Sequence, residues 1–181
     1  MVTILQKEHK TLRKIAEPVK PADIASPKIK KTLDSMRIAL DARKDGVAIA
    51  APQIGISLRI FLVSPRAFES AGSHRRRSDG KEDAKKDIPL HRTFINPHII
   101  KASKERVWLE EGCLSVESVF GRSHRARKVS VRALDENSKT FTMTGNTLLS
   151  QIFQHEIDHL DGTLFIDHAK DLHVITDTPD E

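Results

Sequence analysis

His155-Glu156-Ile157-Asp158-His159 sets two imidazoles four residues apart, with a carboxylate beside the first. On a helix, residues four apart lie one above the other, so both rings can reach a single metal ion. Glu156 falls at the edge of that face. It can reach a water molecule without itself being a ligand, as a general base requires. The chemistry open to such a group is metal-assisted hydrolysis of an amide-like bond.

Two histidines leave a catalytic ion short of a third protein ligand. The long zinc-peptidase pattern HExxHxxGxxH supplies it with a later histidine. This chain follows that pattern through Gly162, but Phe165 stands at the third-histidine position and cannot ligate. His168 and His173 have no fitting spacing and read as surface residues. The other candidate is Cys113, the single cysteine, in Glu110-Glu111-Gly112-Cys113-Leu114-Ser115. A lone cysteine is often just a small buried hydrophobe. Here Gly112 permits close backbone approach, and two glutamates are unusual company for a purely structural thiol. One Cys with two His gives a thiolate–imidazole set with an open position, which suits Fe(II) or Zn(II).

The elements that must position these groups can be read from periodicity. Ser26 is a good N-cap and Pro27 fits the first helical position. Ile29, Leu33, Met36 and Leu40 then recur at helical spacing, predicting a helix from about Pro27 to Lys44, with Gly46 just beyond. Short strands are expected at Val47–Ala51, Leu58–Val63, Thr93–Ile95, Ile99–Lys101 and Glu105–Leu109. The run Leu58–Val63 is apolar apart from Arg59. Ser64 to about Leu90 reads as a polar loop. Lys128–Leu134 and Lys139–Met143 alternate around Asp135-Glu136-Asn137-Ser138, which predicts a hairpin. A second helix spans about Thr147 to Leu160, capped by Asn146 or Thr147 and ended by Gly162. Its Leu148, Ile152, Phe153, Glu156 and His159 share one side, so the chemistry faces the core. Two imidazoles and a carboxylate turned inward would be costly without a partner such as a metal. Thr163–Ile166 is apolar enough to pack back on the body. A helix, many short strands and a helix make an α+β pattern, with short, largely antiparallel sheets around a central helix.

The totals agree with this. The 181 residues suit one domain with decorated loops, and 38% hydrophobic with 30% charged residues suits a soluble protein. Aromatic content of 4% gives few platforms for stacking on exposed bases, against a single-strand nucleic-acid binder. Much of the basic excess behind the net charge of +5 lies between His74 and Lys86. This reads as a mobile solvated loop at about 69–90, weakly attractive to RNA-rich surroundings such as a ribosome but with no sequence-specific nucleic-acid role. The tail from about Asp177 is acidic and expected to fray. A single cysteine excludes an internal disulfide, and no apolar run is long enough for a membrane, so the chain reads as cytoplasmic.

With these residues in view, the chain resembles the peptide deformylases. The resemblance rests on Gly46-Val-Ala-Ile-Ala-Ala-Pro-Gln53, Glu111-Gly-Cys-Leu-Ser115 and Gln154-His-Glu-Ile-Asp-His-Leu-Asp-Gly162. Leu12-Arg13, Phe94-Ile-Asn-Pro97, Gly121 and Arg125 extend it over nearly the whole chain. It implies removal of the N-formyl group from formyl-methionine at the start of nascent peptides. It also implies a divalent metal on Cys113, His155 and His159, usually Fe(II), with Zn(II), Ni(II) or Co(II) as substitutes. Gln53 and the backbone N–H of Leu114 would face the developing oxyanion. Val47, Leu109, Leu148 and Ile152 would hold the methionine, and the backbone of Gly46, Val47 and Ala48 the extended peptide. Glu111 is expected to fix the tautomer of a ligating imidazole, and Asp158 to pair with a cation such as Arg125.

Three positions depart from the pattern. Ala48 stands where glycine is usual, Glu117 where proline is frequent, and Phe120 where arginine is frequent; all three concern substrate contacts beyond the metal. The motif His155–His159 taken alone leaves a metallopeptidase of internal bonds as the alternative, and the basic charge leaves a non-catalytic module docking on the ribosome.

Overall fold

A computed structural model describes residues 2–70 and 91–175. The expected basic loop lies outside the described residues from position 71 to 90, as does the acidic tail.

The two predicted helices are both present. Helix α1 (Pro27–Asp41) starts where Ser26 Oγ accepts the Ile29 N–H at 3.3 Å, and it ends three residues before Lys44. Helix α3 spans Thr147–Leu160, with Asn146 at the cap position but making no side-chain capping bond. Between them run β1 (Ala48–Ala50), β2 (Ile60–Val63), α2 (Pro65–Ser70), β3 (Arg92–Ala102), β4 (Arg106–Cys113), β5 (Val116–Ala126), β6 (Lys128–Leu134) and β7 (Thr140–Asn146). Strand β8 (Lys170–Val174) follows α3. One antiparallel sheet has the order β1-β2-β3-β6-β7 and a second the order β4-β5-β8.

Strand β2 shows why its sequence is continuously apolar. Its side chains alternate, so Phe61 and Val63 pack towards α3 while Ile60 and Leu62 pack with Ile29, Leu33 and Leu40 of α1. Phe61 stacks on Phe94 with ring centroids 4.4 Å apart, and Phe153 of α3 lies 5.3 Å from Phe94. Burying each such ring contributes about 2–3 kcal/mol. Arg59, the one charge in that stretch, turns to the end of α3, where it meets Asp161 at 2.6 Å and the Leu160 carbonyl at 3.5 Å. A cation is favoured at that helix terminus.

Four expectations need correction. Helix α2 occupies the start of the expected polar loop: Ser64 Oγ accepts from the Arg66 N–H and Pro65 takes the first position, the same Ser-Pro signal that starts α1. Thr93–Ile95 and Ile99–Lys101 are one strand, bent where Asn96 adopts φ +50° and its side chain bonds both the N–H and the carbonyl of Val19. Strand β4 runs past Leu109 to Cys113. Strands β5 and β8 were not expected; their mixed and exposed faces carry little hydrophobic alternation.

Gly162 closes α3 with φ +76°, and a Cβ there would lie 2.9 Å from the carbonyl carbon and oxygen of Arg13. Gly162→Ala is therefore expected to cost about 1–3 kcal/mol in urea unfolding, by adding both backbone strain and a clash.

Candidate metal centre

Strand alternation brings the thiol to the helix. Glu111 and Cys113 lie two apart on β4, so both side chains face inward, while Gly112 between them faces out under the Phe120 ring. A Cβ on Gly112 would come within 2.6 Å of that ring, so glycine is required for close approach. On the other side, α3 presents His155 and His159 one turn apart, with ring centroids 4.9 Å apart. The helix is locked to the end of β5 by Gln154, whose side chain both donates to and accepts from the Ala126 backbone, and by Ser150 Oγ at 2.7 Å from the Ala126 carbonyl.

These elements bring Cys113, His155 and His159 together, with ligand atoms all within 4.8 Å of one another. Cys113 Sγ is 3.2 Å from His159 Nε2. Ligands at ordinary Zn or Fe distances around one tetrahedral ion stand about 3.5 Å apart, so the set fits a single ion. Two buried atoms, His159 Nδ1 and Glu156 Oε2, have no hydrogen-bond partner among the described residues. Phe165 fills the position where a third histidine would come, buried and stacked against His155 with centroids 6.2 Å apart. His168 and His173 are exposed and outside the cluster.

The charges around the cluster are ordered. Glu111 receives Arg125 Nε at 2.8 Å, Arg125 Nη2 at 3.0 Å and Ser123 Oγ at 2.9 Å, and its Oε2 lies 3.6 Å from His155 Nδ1. Arg125 also reaches Asp158 at 2.7 Å. Burial opposes ionisation of Glu111, but hydrogen bonds and charge from His155 and Arg125 outweigh it and hold the carboxyl well below its usual range. Burial likewise disfavours the His155 cation. Cys113 and Glu111 reverse that and raise its pKa well above normal. His159 is pushed far down, by burial and then by the His155 charge. Burial pushes Glu156 up to about 7, with Glu111 and Asp158 adding to the rise and His155 opposing it.

Gln53 is buried behind the thiol. Its Oε1 accepts the Ala50 N–H at 2.8 Å, and its Nε2 lies 3.1 Å from Ser115 Oγ and 3.7 Å from Cys113 Sγ. Ser115 was not singled out from the sequence, although it closes the second motif. It is fully buried, and its N–H points at Cys113 Sγ at 3.4 Å.

A cleft of about 320 Å³ opens over this group. Gly46, Val47 and Ala48 line it on one side, Leu148 and Ile152 on another, and Leu114 near the thiol. Leu109 is not among its lining residues; it lies further back along β4, opposite Ser123. Ala48, Glu117 and Phe120, the three departures, all border the cleft, and Glu117 forms an ion pair with Arg43 at 3.0 Å. A wider depression of about 460 Å³, bordered by Glu105, Arg127 and Thr147, shares no residue with it.

Comparison with known proteins agrees with this geometry. The family model described as polypeptide deformylase matches residues 1–174. The chain is 38% identical to peptide deformylase 2 of Clostridium acetobutylicum over 88% of its own length and 89% of that protein. It is 34% identical to the peptide deformylase of Thermomicrobium roseum, over 99% of this chain and 92% of the relative. A crystal structure of a peptide deformylase from Legionella pneumophila superposes with a TM-score of 0.75 at 35% identity, covering 94% of this chain and 87% of that one.

Proposed function

The chain belongs to the polypeptide deformylase family, and from that premise we propose that Cys113, His155 and His159 hold one divalent metal ion beside Glu156 as general base. It is a metal-dependent amide hydrolase that removes the N-formyl group from N-terminal formylmethionine. The observation that carries the assignment of residues is the convergence of one thiol and two imidazoles next to a buried carboxylate. The donor set supports Fe(II), with Zn(II), Ni(II) or Co(II) as alternatives. When bound, such an ion supplies Lewis acidity, polarising a carbonyl and making water more acidic.

The chain's own groups do the rest. Glu156 takes a proton from the water that attacks the formyl carbon, then passes it to the amine nitrogen as the C–N bond breaks. Formate and the free amine leave. Its pKa, raised by burial to about 7, suits a group that must accept and return a proton near neutrality. Gln53 is oriented by its bond to the Ala50 N–H, which leaves its Nε2 hydrogens on the side of Cys113 and Ser115. From there it donates to the developing oxyanion with the Leu114 N–H. Glu111, clamped by Arg125, fixes the His155 ring from its Nδ1 side. Leu148, Ile152 and Val47 give the methionine an apolar wall, and Gly46–Ala48 an extended backbone to lie along.

Formate release from a formyl-Met peptide by anaerobically prepared, iron-loaded protein tests this directly. Release well above the metal-free background is expected; none, with bound metal confirmed, would sink it. The free Cys113 thiol supports a reducing compartment such as the cytoplasm. The net charge of +5 supports a weak attraction to the ribosome. No helix among the described residues is long and apolar enough to cross a membrane.

A further inference from the structure

The two groups assigned to the oxyanion, Gln53 and the Leu114 N–H, sit on separate pieces of chain, and a third piece holds both. Leu114 and Ser115 form the two-residue turn between β4 and β5, with Cys113 paired opposite Val116. The two-residue turns that match the twist of a hairpin need a positive φ at their first central residue. Neither Leu114 nor Ser115 has a positive φ. This turn therefore depends for its shape on contacts from outside it.

Those contacts come from the N-terminal segment. The half-buried Gln6, 108 residues before Leu114, donates from its Nε2 to the Leu114 carbonyl at 3.2 Å. Its Oε1 accepts the Glu117 N–H at 3.4 Å. One amide group thus ties the two ends of residues 114–117 together. The Glu117 carboxylate is held separately by Arg43 at 3.0 Å. Next to Gln6, the Leu5 N–H donates to the Gln53 carbonyl at 2.8 Å. The side chains on either side of this pair of contacts are anchored too: Leu5 packs on the cluster that contains Val116, and Ile4 on the cluster that Leu114 packs against. Gln6 does not border the cleft and belongs to no ligand set.

We infer that Gln6 is a positioning residue of the reaction. It sets the direction of the Leu114 N–H, which lies one Cα away from the carbonyl it holds, while the Leu5 N–H fixes the backbone of Gln53. The inference rests on the deformylase reading above and adds to it a residue outside every motif of the sequence. A donor aimed at the developing oxyanion acts in the transition state, so loosening it lowers kcat and leaves ground-state binding of the peptide alone. Outright loss of such a donor costs about 10²–10³-fold, and loosening one costs part of that.

Two variants test this with f-Met-Ala-Ala as substrate. Gln6→Met keeps the length of the side chain and removes both hydrogen bonds; Gln6→Glu keeps the acceptor for Glu117 but cannot donate to Leu114. Both are expected to lower kcat about tenfold, with KM within about twofold of the parent and bound metal unchanged. The same peptide with a phosphonate monoanion in place of the formyl group presents a tetrahedral oxyanion. Its dissociation constant, measured by calorimetry, should rise by the factor by which kcat/KM falls, while that of the product Met-Ala-Ala stays put. Parent-like kcat in either variant would overturn the inference, because the tether to Leu114 would then be dispensable. A matching loss of affinity for phosphonate and product would overturn it as well, because the whole cleft would then be deformed. Both outcomes leave the deformylase reading intact, whereas no formate from the parent protein would overturn both.

Discussion

Glu156→Gln is expected to lower formate release from a formyl-Met peptide by about 10²–10⁴-fold while bound metal stays at the unsubstituted level. The substitution keeps the shape of the side chain and removes only its capacity to take a proton. Glu156 lies on α3 between the two imidazoles but is not one of the ligating cluster, so the metal set is untouched. The same change relieves a cost. Burial pushes this carboxyl up to about 7, and a neutral amide in its place should leave the fold as stable or more so. Cys113→Ala is the complementary case, in which metal content and activity should fall together. A metallopeptidase using only the two histidines and a ligand elsewhere would keep its metal in Cys113→Ala. Metal analysis of the two variants, beside the formate assay, therefore separates a base from a ligand. A Glu156→Gln protein that retains full activity would remove the carboxylate from the mechanism.

The proposed ligands were legible by two routes. Four residues along a helix put His159 over His155. Cys113 was reached instead from its neighbours Glu110, Glu111 and Gly112, because the expected strand stopped at Leu109 and only the longer β4 puts Cys113 on the side of Glu111. Helices α1 and α3 were legible for related reasons: Ser26-Pro27 and Gly162 mark an end of each, and their apolar residues recur at helical spacing. The strands were harder. Strand β2 reads as a strand because it is buried on both faces. Strand β5 has a broken pattern because its inward side serves polar work, with Ser123 and Arg125 both directed at Glu111. Strand β8 is wholly exposed and is held by pairing with Val119, Phe120 and Arg122, which no local pattern announces. Leu109 shares the side of β4 that carries Glu111 and Cys113 but does not itself border the cleft. Ser115 was passed over because a serine beside a cysteine looks ordinary until Gln53 is found bonded to it.

The second large effect concerns stability. Arg125→Met is expected to destabilise the fold by about 3–5 kcal/mol, because it strands a carboxylate that is taken almost wholly out of water. Glu111 is 3% exposed and Arg125 6%, and the guanidinium grips the carboxylate with two bonds while its third nitrogen holds Asp158. Ser123 Oγ and His155 remain near Glu111 in the variant, but the hydroxyl is neutral and the imidazole gives up its charge when it ligates a metal, so in the metal-loaded protein neither replaces the guanidinium. The pair as a whole is a different matter from either half. Desolvating two charges costs nearly as much as their attraction returns, so removing both together should be far milder than removing one. The double variant Arg125→Met with Glu111→Gln is therefore expected to recover much of the lost stability in urea unfolding. It should not recover catalysis, since the His155 ring loses the carboxylate that orients it and the affinity for metal should drop by about 10–100-fold. A large coupling energy in that cycle, together with weakened metal binding, would show that the ion pair serves the site more than the fold. If Arg125→Met unfolds at the same urea concentration as the parent, the buried carboxylate is finding its compensation elsewhere, and the assignment of Arg125 as its clamp is wrong.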